Sequence, residues 1–289
     1  MLDFKYPELS DNQWITDIIK NSPHLGCVYS FALAMAWHDY YNTRVCLKDG
    51  ALLFLGGQPG DEYYLYPIGE FDTAHIITEL EQDALERGIP MKIVCAEPWQ
   101  LEMFRSSVTG DYEIVPERDD FDYIYSPKAL IELAGRKYHG KRNHISKFTR
   151  TYPDWVYEPI TAQNIAECKS AVAKWYDNRA DAEASMLGES KAVNYILDHF
   201  DELGQTGGVI RVSGEIVALT IGEAINDDLF VTHFEKALPG FEEAYTVINR
   251  EFAAHELSSF KHVNREEDMG LEGLRKAKLS YYPEILIEK

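Results

Sequence analysis

Apolar residues along the chain switch between a period of two, typical of strands, and a period of three to four, typical of helices. Two short apolar runs flank Asp49-Gly50, a dipeptide that favours a hairpin turn. The helix that follows is predicted to end at Gly88 and Pro90. The pattern predicts a hairpin, a strand, a helix, a strand, a helix and a strand, at 45–55, 63–66, 73–87, 91–95, 97–106 and 112–115.

The same order of elements returns in the second half of the chain, with a hairpin turn at Ser213-Gly214 and a Pro239-Gly240 turn before the helix. Its elements are expected at 209–219, 229–234, 245–252, 260–264, 271–278 and 284–287. This order indicates an internal duplication. The predicted fold class is α/β (α+β), with lobes at 1–120 and 121–289, each a mixed sheet flanked by helices. The second lobe is expected to carry the functional site.

Further helices are predicted before and between the two blocks. Ser10 and Gln13 form a capping-box pattern ahead of the leading helix. Two apolar stripes between the blocks are typical of helix faces that pack on a core. They consist of Ile165, Cys168, Val172 and Trp175, and of Val193, Ile196, Leu197 and Phe200.

The charge of the chain limits the partners that we expect. Lys and Arg total 28 against 48 Asp and Glu, a net charge of −20, which disfavours a protein that binds nucleic acid over its whole surface. The longest uncharged apolar run, 27–37, is about half of the ~20 residues that span a bilayer. The four cysteines are scattered without a CxxC pair. We therefore expect a cytoplasmic protein with no transmembrane segment, no metal site and free thiols.

A basic segment at 136–150 holds six Lys and Arg residues and no acid. Lys137, Lys141 and His144 are spaced i, i+4, i+7, so a helix would display them together. One interpretation is a solvated helix face that pairs with acidic neighbours. The other is an anchor for the phosphates of CoA, tRNA or a lipid head group, with Lys141 and Arg142 as the binding residues.

A second candidate segment joins the strand at 229–234 to the next helix. Lys236 and Gly240 stand where a strand runs into a glycine turn and a helix start, whose free N–H groups suit an anion. Glu242 and Glu243 already occupy the first helical turn. A plain strand-to-helix turn is the alternative.

The third candidate segment begins after Val263, at the exit of a predicted strand, where open α/β sheets commonly build their sites. Arg275 and Lys278 are spaced i, i+3 and point the same way from a helix. The alternative is compensation of the helix dipole with salt bridges to acidic neighbours, Glu266, Glu267 and Asp268.

The closing motif Gly273-Leu-Arg-x-x-Lys278-x-x-Tyr281-x-Pro283 resembles that of the phosphatidylglycerol lysyltransferase C-terminal domain family. The runs 125–155 and 264–271 resemble uncharacterised bacterial members of that family. The resemblance implies two tandem acetyltransferase-like (GNAT) lobes. Related Fem-type transferases carry a Lys near the C-terminus that is implicated in handling an aminoacyl-tRNA donor, and Lys278 is the matching position. The membrane-embedded flippase region of the lysyltransferases proper has no counterpart in this sequence.

The resemblance implies transfer of an acyl or aminoacyl group from a thioester or aminoacyl-tRNA donor to an amine or hydroxyl acceptor. Such chemistry needs a cation or N–H donors for the developing oxyanion, and a group that moves protons. The candidates are Lys278 and Arg275 for charge stabilisation, Glu235 as base, Tyr281 as proton donor, and Asn264, Glu266 and Asp268 for the acceptor amine.

A GNAT-derived binding or sensing protein without catalysis is the alternative function. The acyl-CoA loop of ordinary GNAT enzymes, Arg/Gln-x-x-Gly-x-Gly/Ala, is reduced here to Lys236-Ala-Leu-Pro-Gly240-Phe. The sequence implies no firm cofactor, and acyl-CoA or aminoacyl-tRNA enters only as a donor substrate. The net charge disfavours broad tRNA contact and leaves 136–150 as the docking surface.

Overall fold

The computed structural model, which describes residues 1–177 and 184–289, contains two mixed β-sheets flanked by helices. This confirms the expected fold class. The chain forms two units. The first unit consists of Met1–Asp122, Glu267–Glu272 and Leu286–Lys289, and the second of Tyr123–Glu266 and Gly273–Ile285.

The first sheet has the order β1-β2-β3-β5, with β4 paired to β2. Its strands and the neighbouring helices are β1 (Arg44–Lys48), β2 (Ala51–Gly56), β3 (Tyr63–Leu65), β4 (Ile68–Gly69) and β5 (Ile93–Val94), with α1 (Asn12–Lys20), α2 (Phe31–Ala36), α3 (His38–Tyr41), α4 (Thr73–Arg87) and α5 (Pro98–Ser107). Asp49 and Gly50 both take positive φ, at 46° and 86°, in the turn that closes the antiparallel β1–β2 hairpin. The hairpin prediction is confirmed.

Helix α4 has the predicted bounds because local signals fix both ends. The Asp72 side chain accepts a hydrogen bond from the His75 N–H, and Gly88 ends the helix in the left-handed conformation. Its apolar face, Ile76, Ile77, Leu80 and Ala84, packs with Leu53, Leu55 and Tyr64 in one core.

Two predictions for this region are wrong. Residues 112–115 form no strand, and Tyr112 and Val115 are 44% and 56% exposed, so their apolar surface does not face a core. The capping box near the leading helix is formed by Glu8 and Asp11 rather than by Ser10 and Gln13. The buried Asp11 carboxylate also binds Lys5 and the Trp14 indole, which places the cap earlier in the chain.

The second sheet has the order β12-β6-β11-β10-β9-β8-β7. Its strands and the remaining helices are β6 (Asp122–Tyr125), β7 (Val156–Pro159), β8 (Gln205–Val212), β9 (Glu215–Ala224), β10 (Leu229–Ala237), β11 (His262–Asn264) and β12 (Ile285–Ile287), with α6 (Pro127–Glu132), α7 (His139–Thr151), α8 (Ile165–Asp177), α9 (Ala184–Asp198), α10 (Ala244–Glu256) and α11 (Glu272–Leu279). None of the described helices combines the length and the apolar character that crossing a bilayer requires.

Each sheet contains a parallel pair of strands joined through a helix. In the first sheet β3 pairs with β5 across α4, and in the second β10 pairs with β11 across α10. Each pair follows an antiparallel hairpin, β1–β2 or β8–β9. The predicted order of hairpin, strand, helix and strand is therefore present in both sheets, whereas the closing strand is present only in the second.

The β10–β11 pair positions the polar residues that follow β11. The register places Asn264 opposite Val231, so the chain after Asn264 passes beside residues 232–235 of β10. A shift of register between Thr232 and Phe234 leaves His233 as the extra residue of a bulge in β10. This region of the second unit holds the candidate site.

Candidate functional site

Three elements of the second unit converge on an ion pair that is largely buried. Arg265, which directly follows β11, donates from Nη2 to Oε1 of Glu235 on β10 at 2.9 Å. The Asn249 side chain on α10 donates to the other oxygen of Glu235 at 3.1 Å. The side chains of Arg265 and Glu235 are 11% and 13% exposed, so the surrounding protein strengthens their attraction.

A tyrosine ring brings a second cation to the pair. The Arg265 guanidinium carbon lies 4.8 Å from the centre of the Tyr281 ring, and Lys141 Nζ on α7 lies 3.7 Å from it. Tyr281 is 4% exposed, and burial raises the pKa of its hydroxyl to about 12 against the opposing charge of Arg265. We call Lys141, Glu235, Asn249, Arg265 and Tyr281 the Arg265 cluster.

Lys141 titrates at an unusual pH for a lysine. Burial and, after it, the charge of Arg265 lower its pKa to about 8, and the charge of Glu235 opposes this shift. A cation without a carboxylate hydrogen-bonded to it is easier to deprotonate than one in a direct salt bridge. Lys141 therefore changes its charge within the range in which many enzymes work.

Two buried polar atoms of the cluster have no hydrogen-bond partner among residues 1–177 and 184–289, namely Arg265 Nη1 and Asn249 Oδ1. Leaving a buried donor or acceptor unpaired costs about 1–3 kcal/mol, more for a charged group. The two atoms belong to side chains that already share Glu235. An unpaired donor and an unpaired acceptor on two side chains that bind the same carboxylate need an explanation, and pairing with a ligand is one.

Lys278 holds the backbone that carries Arg265. Its buried ammonium donates to the carbonyl oxygens of Arg265 at 2.5 Å and of Glu266 at 3.0 Å. Tyr125 in turn donates its hydroxyl to the Lys278 carbonyl at 2.8 Å. The charge of Lys278 is thus directed at main-chain carbonyls beside the cluster.

The side chains of Asn264 and Glu266 also stabilise the turn after β11. Asn264 Oδ1 accepts a hydrogen bond from the Glu266 N–H at 2.6 Å, and Glu266 has a positive φ of 58°. Glu266 Oε1 lies 2.8 Å from His233 Nδ1, and Glu223 Oε1 lies 3.1 Å from His233 Nε2. Burial lowers the pKa of His233, but hydrogen bonds to Glu223 and Glu266 outweigh it and raise the pKa to about 9. The bulge therefore presents an imidazolium to two carboxylates.

The structure brings together three of the residues predicted from the sequence, Lys141, Glu235 and Tyr281. Arg275 is half-buried on α11. Asp268 belongs to the first unit, where its carboxylate binds Arg118 at 3.1 Å and accepts the Gly270 N–H at 3.0 Å.

The remaining predicted binding residues are paired with protein groups. Lys236 Nζ lies 2.6 Å from Oε1 of Glu189 and 4.3 Å from the centre of the Trp175 ring. The Gly240 N–H donates to Oε1 of Glu242 at 2.9 Å, within its own turn. Arg142 Nη1 donates to the carbonyl oxygens of Leu133 and Gly135 at the start of the α6–α7 connection. Their polar groups serve the protein itself at these positions.

Sequence reasoning missed Arg265 and Asn249. Arg265 lies inside the polar segment that the sequence singled out, but its partner Glu235 is set by the register of β10 against β11. Asn249 is 5% exposed and interrupts the apolar face of α10 next to Ile248. A polar residue at a core position was the available signal for Asn249.

The first unit contains a separate cluster of possible ligand atoms. The side chains of Cys27, Asp122 and Glu267 offer a sulfur and two oxygens within 4.8 Å of one another. Lys289 Nζ lies 2.7 Å from Asp122 Oδ1 and 3.7 Å from Cys27 Sγ. The lysine ammonium already supplies a positive charge to this cluster. The four cysteines of the chain form no disulfide within the described residues.

Comparison with known proteins shows the family to which the chain belongs. Residues 19–289 match the family described as phosphatidylglycerol lysyltransferase, C-terminal. The chain belongs to this family. The resemblance carried by the closing motif is thereby confirmed over nearly the whole length.

Three solved structures are similar to this chain over nearly its whole length. A conserved protein of unknown function from Bacteroides thetaiotaomicron is 36% identical, with a TM-score of 0.94 over 100% of this chain and 98% of that one. The structure of L-PGS from Bacillus licheniformis is 13% identical, with a TM-score of 0.70 over 100% and 92%. The C-terminal domain of a putative lysylphosphatidylglycerol synthetase from Agrobacterium fabrum is 14% identical, with a TM-score of 0.70 over 96% and 90%. These last two show a shared fold.

A curated relative is an uncharacterised protein from Mycoplasmoides gallisepticum, 22% identical over 200 residues. The match covers 66% of this chain and 60% of the relative's length.

Proposed function

We propose that this protein transfers an aminoacyl or acyl group from an activated donor to an amine or hydroxyl acceptor, and that the Arg265 cluster is the site of transfer. The observation that carries the proposal is the Arg265 side chain, largely buried, paired to Glu235 through Nη2 and unpaired at its buried Nη1. Membership of the lysyltransferase C-terminal family supports the same class of reaction.

Arg265 supplies what acyl transfer needs at the carbonyl. When an acceptor attacks an ester or thioester carbonyl, negative charge develops on the carbonyl oxygen. A fixed N–H donor in a poorly hydrated site stabilises that charge, and removing one such donor typically costs about 10²–10³ in kcat. Nη1 of Arg265 is such a donor, because Glu235 and the Tyr281 ring hold the guanidinium in place.

The acceptor atoms beside Arg265 favour a donor that carries an amino group. Asn249 Oδ1 is unpaired, and each carboxylate oxygen of Glu235 accepts one hydrogen bond and has a further lone pair. Together they suit the α-ammonium of an aminoacyl group, while Nη1 of Arg265 points to its carbonyl. An aminoacyl ester therefore fits the cluster better than a plain acyl chain.

The segments that flank the site favour a tRNA ester over a CoA thioester. Lys236 and Gly240, the remnant of the acyl-CoA loop pattern, bind Glu189 and Glu242. Helix α7 instead carries Lys141 into the cluster, and Arg136, Lys137 and Arg150 are exposed at or near its two ends. With a net charge of −20, phosphate contact is confined to such a local basic surface.

A donor screen tests this proposal. The protein is incubated with mixed ¹⁴C-aminoacyl-tRNA or with ¹⁴C-acetyl-CoA. Hydroxylamine at low concentration serves as a general acceptor amine, and the labelled hydroxamate that forms is measured. We expect enzyme-dependent hydroxamate from charged tRNA, and a large loss in Glu235→Gln but not in the exposed control Glu113→Gln. Product from acetyl-CoA alone would reassign the donor. Binding of a donor without turnover would favour the sensing protein instead.

A further inference from the structure

Proton transfer is the part of the reaction that Arg265 cannot perform, because a guanidinium stays protonated in proteins. An attacking amine or hydroxyl must lose a proton as its new bond forms. The leaving oxygen of the donor must gain one as its bond breaks. A group in the cluster that exchanges a proton near neutral pH is therefore required.

Two titratable members of the cluster are poorly suited to that role. Both oxygens of Glu235 accept hydrogen bonds, one from Arg265 and one from Asn249, so its charge is committed to holding the guanidinium. Tyr281 keeps its proton, because burial raises its pKa to about 12.

Lys141 differs from both in geometry and surroundings. Its ammonium lies 3.7 Å from the centre of the Tyr281 ring, a contact that stabilises the charged form. The nearby Arg265 destabilises the charged form, and Glu235 partly restores it. The groups that face Lys141 thus come from β10, from the turn after β11 and from the segment after α11. Their effects on the charged form of Lys141 oppose one another.

We propose that Lys141 is the proton acceptor of the Arg265 cluster and returns that proton to the leaving group. The neutral Nζ takes a proton from the attacking amine or hydroxyl while the nucleophile's electron pair bonds to the carbonyl carbon. The tetrahedral oxyanion, held by Arg265, then re-forms the carbonyl and breaks the bond to the leaving oxygen. That oxygen takes the proton from the Lys141 ammonium, which leaves Nζ neutral for the next cycle.

This inference rests on the proposed transfer reaction and makes Lys141 a catalytic residue rather than a phosphate anchor. The pKa of about 8 supports it, since roughly a tenth of the molecules carry neutral Lys141 at pH 7 and most do at pH 9. Transfer should therefore accelerate as the pH rises through 8.

The test replaces the base but keeps a positive charge. Lys141→Arg retains a cation and has no usable base, so kcat/KM for transfer from charged tRNA should fall by about 10²–10⁴ and lose its rise near pH 8. Lys92→Arg is the matched control, because Lys92 is an exposed lysine whose Nζ lies 6.0 Å from the centre of the Tyr63 ring, in the first unit and outside both the cluster and the basic segment 136–150. Its pH profile should match that of the unaltered protein.

Chemical rescue separates a base from a charged binding group. Trimethylamine accepts a proton but cannot form an amide, so it should restore part of the activity of Lys141→Ala and none to Arg265→Ala. Wild-type rates and an unchanged pH profile in Lys141→Arg would overturn this inference and leave the proposed function standing. Absence of transfer by the wild-type protein from every donor tested would overturn both.

Discussion

His233 and Glu266 form a partly buried pair, Nδ1 to Oε1 at 2.8 Å, which ties the bulge in β10 to the turn after β11. Arg265 immediately precedes Glu266, so the same contact holds the backbone of the candidate site. Glu223 binds the other imidazole nitrogen at 3.1 Å. The charged His233 in the bulge thus stabilises the turn that carries Arg265.

The His233 pair predicts a loss of stability at alkaline pH. The pKa is about 9 in the folded protein and 6.5 in the unfolded chain, so the contribution is complete below about pH 6.5 and is lost as the pH rises through 9. A shift of this size corresponds to about 3 kcal/mol. Urea unfolding between pH 6 and pH 10 should show this decline, and His233→Gln should remove most of it. An equal decline in both proteins would contradict the ionised pair.

A second prediction is that two arginines of helix α7, Arg142 and Arg150, differ in how much they contribute to the stability of the protein. Arg142→Ala loses hydrogen bonds to the Leu133 and Gly135 carbonyls, and its free energy of unfolding should fall by about 1–2 kcal/mol. The control Arg150→Ala removes an exposed cation from the same helix and should change stability by less than about 0.5 kcal/mol. Equal unfolding midpoints for the two variants would show that the carbonyl contacts contribute nothing.

A third prediction concerns the packing of β9 against β10. A Cβ on Gly222 would overlap the Val231 carbonyl oxygen and lie 2.6 Å from the Phe230 ring. Gly222→Ala should therefore destabilise the protein by about 2–3 kcal/mol. Gly140→Ala is the control, because a Cβ there meets nothing within 4 Å, and stability should hold or rise by up to about 1 kcal/mol. Thermal unfolding of both variants measures the difference, and a Gly222→Ala protein as stable as the wild type would contradict the close approach.

The first unit provides a fourth prediction. Lys289 and Asp122 form an ion pair whose side chains are 2% and 0% exposed. Lys289→Met leaves the Asp122 charge buried and uncompensated, which should cost about 3–5 kcal/mol. Adding Asp122→Asn to that variant should recover part of the loss, since no buried charge then remains on this pair. Unfolding of the double variant at the same denaturant concentration as Lys289→Met would contradict this coupling.

Most of the fold that could be predicted from the sequence follows from local signals such as turns and helix caps. The Asp49-Gly50 turn and the caps at Asp72 and Gly88 set their elements from a few neighbouring residues. The strand expected at 112–115 failed because a strand needs a partner and a buried face, and neither is encoded in four residues.

The site was predictable only in part, for a related reason. Lys141 stood out by charge and spacing, and Glu235 and Tyr281 as candidates for the chemistry that the family resemblance implies. The pairing of Glu235 with Arg265, however, follows from the register of two strands that are distant in sequence. Lys278 stood out by its spacing from Arg275 and then through a family resemblance. Resemblance conveys which position matters, whereas the structure shows that its ammonium contacts the carbonyls of Arg265 and Glu266.

The most direct test of the central claim is single-turnover transfer from ¹⁴C-aminoacyl-tRNA to hydroxylamine by the wild-type protein and by Arg265→Lys. Lysine keeps the charge but lacks the forked donors that let Nη2 bind Glu235 while Nη1 meets a carbonyl oxygen. Arg105→Lys, an exposed site on α5, is the matched control. The account predicts that the rate constant falls by about 10²–10³ in Arg265→Lys alone, while the Kd for the donor changes by less than about tenfold. Equal rate constants for Arg265→Lys and the wild-type protein would contradict it.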